Sequence, residues 1–86
     1  MNLTPRVAAV HDMSGLGRCS LTVALPVLSA MGAQCCPLPT AVLSAHTAFP
    51  ASHLATFLDL TDEMERMLLH WRKLHVSFDA IYSGFL

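Results

Sequence analysis

VHDMSGLGRCSLTVALP, residues 10–26, is the stretch whose reading decides the fold. An apolar run closes on His11 and Asp12, Gly15 and Gly17 follow one residue apart, and an apolar segment then begins. Strand, glycine turn and helix in that order form half of a parallel βαβ unit. Such a turn commonly holds a phosphate, and Asp12 is the residue that argues otherwise. Residues 15–20 spell G-x-G-x-x-S, without the third glycine of a dinucleotide fingerprint. The second strand does not close on the acid that would bind a ribose, because the residues there read CCPLPT. A GxxxxGK[ST] loop is absent from the chain, and a carboxylate at position 12 would repel a phosphate. Asp12 could instead accept hydrogen bonds from the hydroxyl or ring N–H of a neutral polar ligand, with Gly15 and Gly17 letting it approach the backbone. The competing reading is local: Asp12 satisfies backbone N–H groups of its own turn.

Outward from this turn, residues 6–11 (RVAAVH) read as a buried strand and residues 18–31 as a helix ended by Gly32. Pro26 lies inside that helix and should kink it or leave a carbonyl without a donor. Residues 33–38 read as a second strand, with Pro37 best placed at an edge or strand end. Residues 39–60 show no clear period and read as a long loop, of which TAVLS can continue as an extended segment. The second helix is the clearest element. Thr61 is its expected cap, Asp62, Glu63 and Glu65 occupy its start, and Arg72, Lys73 and His75 its end, as the helix dipole favours. Met64, Met67, Leu68, Trp71 and Leu74 form one apolar stripe, expected to be core. Residues 78–82 read as a third strand. The expected fold is α/β: a parallel three-strand sheet with two helices and right-handed crossovers.

The 86 residues allow one domain at most, and 53% are hydrophobic against 13% charged. That is apolar-rich for so small a chain, which points to association or to membership of something larger. A net charge of −1 with no basic stripe argues against nucleic acid. The longest apolar stretch, residues 21–32, is too short to span a bilayer, and the N-terminus has no long apolar signal region, so no membrane partner is expected. Cys19, Cys35 and Cys36 form no CxxC and fit a reducing cytoplasm better than a disulfide framework. His53, His70 and His75 show no metal-ligand spacing, so no metal site is expected. In a parallel sheet, ligands bind beyond the carboxyl ends of the strands. Residues 12–17, the loop after Leu38 with His46 and Thr47, and residues 83–85 with Phe85 should therefore meet. At that end Tyr82 is expected to be core packing.

The segments VAAVHDMSGLGRCSLTVALPVLSAMG (7–32), CCPLPTAVLSAHT (35–47), FLDLTDEM (57–64) and FDAIYSGFL (78–86) together resemble the start of the pyridoxal/pyridoxamine kinases of the ribokinase-like superfamily. The resemblance runs in order over nearly the whole chain. It implies that residues 1–86 are an N-terminal fragment of one ribokinase-like kinase domain, lacking the ATP-binding part. It implies ATP- and Mg²⁺-dependent phosphorylation of the 5′-hydroxymethyl group of a vitamin B6 vitamer by a cytoplasmic enzyme that is a homodimer at full length, with no cofactor bound by the fragment alone. It places Asp12, His46, Thr47 and Phe85 on the substrate side, and no catalytic residue within the chain. Ala48, Phe49 and Pro50 depart from the glycine that commonly follows His-Thr in the family. A ribokinase-like kinase for a hydroxymethylpyrimidine or a sugar, or a non-catalytic α/β module that associates with another chain, are the alternative readings.

Overall fold

The computed structural model describes residues 4–17, 19–45 and 56–84. Its elements are β1 (Arg6–Ser14), α1 (Leu21–Ala30), β2 (Gln34–Leu43), β3 (Phe57–Asp59), α2 (Thr61–Lys73) and β4 (Ala80–Ser83). The four strands form one sheet in the order β3-β2-β1-β4. β1 pairs in parallel with both β2 and β4, while β3 runs antiparallel along Ala41–Leu43 of β2. The α/β architecture is thus present, but the sheet is four-stranded and mixed, not a three-strand parallel one. The additional strand is three residues long and lies inside the stretch read as a loop. Three residues are too few for a period to show.

Strand β1 is longer than the stretch read as a strand, because it continues past His11 through Asp12 to Ser14. Its centre is covered, leaving Ala8 6% and Ala9 0% exposed. β2 likewise runs five residues beyond Leu38. It accommodates Pro37 and Pro39 because β3 covers only its last three residues. The amide of Gln34 donates to the Pro5 carbonyl beside β1, so residues 37 and 39, at odd spacing from it, direct their nitrogens to the open edge. Between His11 and Met13 the register slips, with β1 advancing two residues while β2 advances from Pro39 to Val42. This bulge sits at the end of the sheet where β1 leaves for its glycine turn.

Helix α1 starts three residues later than the pattern suggested and runs through Pro26. It ends where Gly32 was expected to stop it. Gly32 adopts φ 86°, its amide donates to Ser29 O, and the amide of Ala33 donates to Leu28 O at 3.0 Å. That is the paired closure of a glycine-terminated helix. α2 ends the same way around a non-glycine residue, with His75 at φ 56° and Val76 N–H donating to Trp71 O. Its start corrects the expected cap. Thr61 is the first helical residue rather than the cap, and its amide and hydroxyl both donate to the Asp59 carboxylate, at 3.3 and 2.9 Å.

The expected core stripe is only partly covered. Met64, Met67 and Trp71 are half-buried, with Trp71 against Phe78 at a ring separation of 5.5 Å, but Leu68 and Leu74 are exposed. α1 packs on β1 and β2, whereas α2 packs on β2 alone among the described elements. Met31 is 75% and Ile81 72% exposed. No helix among the described residues is long and apolar enough to cross a membrane. Exposed apolar faces and an open β4 edge favour association. The 86-residue chain by itself is therefore expected to sediment as oligomers or aggregates at micromolar concentration. A compact monomer with strongly protected amides in β1, β2 and β4 would contradict this.

Candidate functional site

β1 has its crossover to β2 on one side and a parallel neighbour, β4, on the other. The chain therefore leaves β1 and reaches β4 by connections running in opposite directions. A crevice opens beyond the carboxyl ends of two such strands. The turn at residues 12–17 and the end of β4 at Ser83 and Gly84 meet there, with Gly84 N–H donating to Val10 O at 3.0 Å.

Asp12 is the centre of this corner. Its Oδ1 accepts from the Ser20 hydroxyl at 2.8 Å and lies 2.7 Å from His11 Nδ1. Its Oδ2 accepts from the Ser14 hydroxyl at 3.3 Å. His11 Nδ1 also lies 3.0 Å from the Asp12 amide nitrogen. One ring nitrogen cannot donate to the carboxylate and accept from the amide at once. The shorter contact, to an anionic oxygen, requires a proton between the two atoms, so Nδ1 carries the hydrogen. Burial opposes ionisation of Asp12, but hydrogen bonds from Ser20 and His11 and the attraction of the His11 charge outweigh it and hold the carboxyl below its ordinary range. Asp12 is thus an ionised acceptor at neutral pH, and not a group satisfied solely by backbone amides.

The other side of His11 is closed by β4. Its ring stacks on Tyr82 with centroids 6.4 Å apart, and a Cβ placed on Gly84 would lie 1.9 Å from its imidazole. Tyr82, expected to be core, is 49% exposed. Beside it an apolar cavity of about 530 Å³ runs along α1, bounded by Ser20, Val23, Val27, Met31 and Tyr82.

The glycine turn is not arranged to hold a phosphate. The Gly15 amide donates to Leu43 O at 2.9 Å and the Leu16 amide to Ser44 O at 3.1 Å. Two of the N–H groups that a phosphate loop would present are therefore engaged by the end of β2. The space a side chain would need at Gly15 is also occupied by this chain, since a Cβ there would lie 2.8 Å from Ser44 O. Gly17 takes φ 107°, a conformation that favours glycine. His46, Thr47 and Phe85 lie outside the described residues. No group of three or more metal-ligating side chains occurs among the described residues.

Sequence reasoning singled out Asp12, Gly15 and Gly17 but missed His11, Ser20 and Gly84. For Ser20 a signal was present: it stands where the G-x-G-x-x-G pattern would have its third glycine. Its backbone, at φ 59° and ψ −136°, is one that glycine adopts freely and serine does not. Such conformations cost on the order of 1–3 kcal/mol.

Two outcomes are expected here, both in a full-length kinase carrying this segment. Gly84→Ala should displace the His11 ring and break its contact with Asp12, visible as a changed His11 imidazole environment by NMR; an unmoved ring would contradict the packing described. The lowered pKa of Asp12 adds stability that is present above its unfolded value, about 3.9, and is lost as pH falls through the lower folded value. Asp12→Asn should therefore flatten the part of the stability–pH profile below about pH 4, measured by denaturant unfolding.

No family model and no curated protein sequence matches the chain. Solved structures do. A *Bacteroides thetaiotaomicron* protein assigned as a phosphomethylpyrimidine kinase, crystallised with pyridoxal, is 60% identical with a TM-score of 0.90, over 96% of this chain and 28% of its own. A pyridoxal kinase from *Lactobacillus plantarum* is 33% identical, TM-score 0.85, over 98% of this chain and 29% of its own. At 16% identity, a *Leishmania donovani* pyridoxal kinase in complex with ADP and pyridoxamine shares the fold, with a TM-score of 0.83 over 93% of this chain and 28% of its own. The chain thus spans less than a third of the length of these proteins. In sequence and fold it is similar to the N-terminal part of these kinases, and it matches the N-terminal part of the ribokinase-like fold.

Proposed function

We propose that this chain is the N-terminal, substrate-side part of a vitamin B6 kinase, with Asp12 as an acceptor for the ring of the vitamer. The observation that carries the reading is the 60% identity to a protein solved with pyridoxal, joined to an ionised Asp12 in the crevice between β1 and β4. Among the described residues its Oδ2 has a single donor, Ser14 at 3.3 Å, and retains capacity for a hydroxyl or ring N–H. In this reading His46, Thr47 and Phe85 complete the substrate side, and Gly15 and Gly17 shape the turn.

The reaction is ATP-dependent phosphorylation of the vitamer's 5′-hydroxymethyl group, with Mg²⁺. The described residues do not fit the nucleotide or the metal. They form no group of three or more metal-ligating side chains, and the Gly15 and Leu16 amides of the turn are engaged. Nucleotide, metal and catalytic base must be placed together for phosphoryl transfer, so these parts are assigned to the remainder of a full-length kinase and the chain alone is read as inactive. The resemblance carries with it a cytoplasmic, homodimeric enzyme. A second reading, a kinase for a hydroxymethylpyrimidine, is favoured by the assignment of the same *Bacteroides* protein.

The test is a chimera in which this chain replaces the matching 28% of the *Bacteroides* protein. It is expected to phosphorylate pyridoxal in preference to hydroxymethylpyrimidine; the reverse preference would favour the second reading. In the same chimera, Asp12→Ala should weaken vitamer binding more than ATP binding. Loss of a hydrogen bond to a charged group, on the order of 1.5–3 kcal/mol, corresponds to roughly ten- to a hundredfold in affinity. Unchanged pyridoxal affinity by calorimetry would remove Asp12 from the site.

A further inference from the structure

Ser20 stands at the N-cap of α1, yet it does not cap the helix: its side chain makes no cap hydrogen bond. A serine in that place ordinarily accepts from an amide of the first turn. Here the hydroxyl turns outward and donates 2.8 Å to Asp12 Oδ1, eight residues away on β1. It does so from a backbone conformation, φ 59° and ψ −136°, that disfavours any residue with a side chain. Serine thus forgoes its usual bond and takes an unfavourable backbone, and what this geometry provides is one hydrogen bond to the carboxylate.

We propose that Ser20 is a positioning residue that locks the Asp12 carboxylate, with Oδ1 turned into the protein and Oδ2 left for the ligand. The proposal rests on the reading of Asp12 as a ligand-binding group. The distribution of donors supports it. Among the described residues, Oδ1 has two close partners, Ser20 at 2.8 Å and His11 at 2.7 Å, whereas Oδ2 has only Ser14 at 3.3 Å. His11 is held by Tyr82 and by the close approach of Gly84, so it fixes Oδ1 from the β4 side. Ser20 fixes it from the α1 side, and without it the hold on Oδ1 falls to His11 alone among these two partners. Ser20 and Tyr82, though not Asp12 itself, also line the cavity along α1. A serine that merely closed the turn would have no reason to aim its hydroxyl at β1.

Ser20→Gly separates the two roles, because glycine accepts the backbone freely and removes only the hydroxyl. Ser20→Ala removes the hydroxyl and keeps the unfavourable backbone. In the chimera both variants should weaken pyridoxal binding about two- to tenfold, the loss of one hydrogen bond, with nucleotide affinity unchanged. Ser20→Gly should melt at a higher temperature than Ser20→Ala. Wild-type pyridoxal affinity in Ser20→Gly, or an equal loss for pyridoxal and nucleotide, would overturn the proposal. A second arm needs no ligand. In crystals of the ligand-free Ser20→Gly chimera, the Asp12 carboxylate should turn away from its present orientation or occupy more than one. A carboxylate that stays in its single orientation overturns the proposal whatever the substrate is. Failure of the unsubstituted chimera to bind pyridoxal would overturn the vitamer reading instead, and the crystallographic arm would then decide the role of Ser20.

Discussion

Strand β1 is parallel to a neighbour on each side, and most of the structure follows from that constraint. A strand so placed has both edges hydrogen-bonded and its faces available for cover, which suits the small residues Ala8 and Ala9 at its centre. Its carboxyl end is then the one place where the chain must turn away between two strands. That turn brings Asp12 within reach of Ser20 from α1 and brings His11 against Tyr82 and Gly84 from β4. The polar cluster is therefore a product of topology. Its residues are spread from position 11 to position 84 and are joined only by the order of the strands.

A carboxylate in that corner has to be compensated. Partial burial raises the free energy of its charged form, and the hydrogen bonds from Ser20 and His11 with the attraction of the His11 charge offset this and more. The compensation is uneven between the two oxygens, and that unevenness gives the site a direction. Strain at functional sites persists where surrounding structure over-determines it. Ser20 fits this description, being held between the closed glycine turn and a regular helix.

How far the sequence could be read depended on the kind of signal. Gly32 and the charged ends of α2 act within one turn of helix, so their signals were local and the structure agrees with them. Pro37 pointed to an edge or strand end, and β3 indeed leaves that part of β2 uncovered. β3 was illegible because three residues carry no period and its pairing is non-local. Thr61 looked like a cap because it precedes an acidic turn, but Asp59 supplies the acceptor two residues earlier. The apolar stripe of α2 announced a packing face, yet it could not say how much of that face this chain covers. At the site, Asp12 was visible as a charge where none was needed. Ser20 entered only as a missing glycine, and its partner on β1 could not be inferred from spacing.

The same turn shows why a glycine pattern alone does not identify a ligand. G-x-G after a strand invites the phosphate reading because glycine permits exposed amides in a tight turn. Here the amides of Gly15 and Leu16 face Leu43 and Ser44 at the end of β2. The room that glycine provides at position 15 is likewise taken by the Ser44 carbonyl. Glycine is required at this position so that two strands can end side by side. With these two amides engaged and an anion at position 12, the corner favours a partner that brings hydrogen-bond donors and disfavours one that brings negative charge. The register of β2 therefore settles what the turn can hold, and the bulge between His11 and Met13 is the local feature that sets this register.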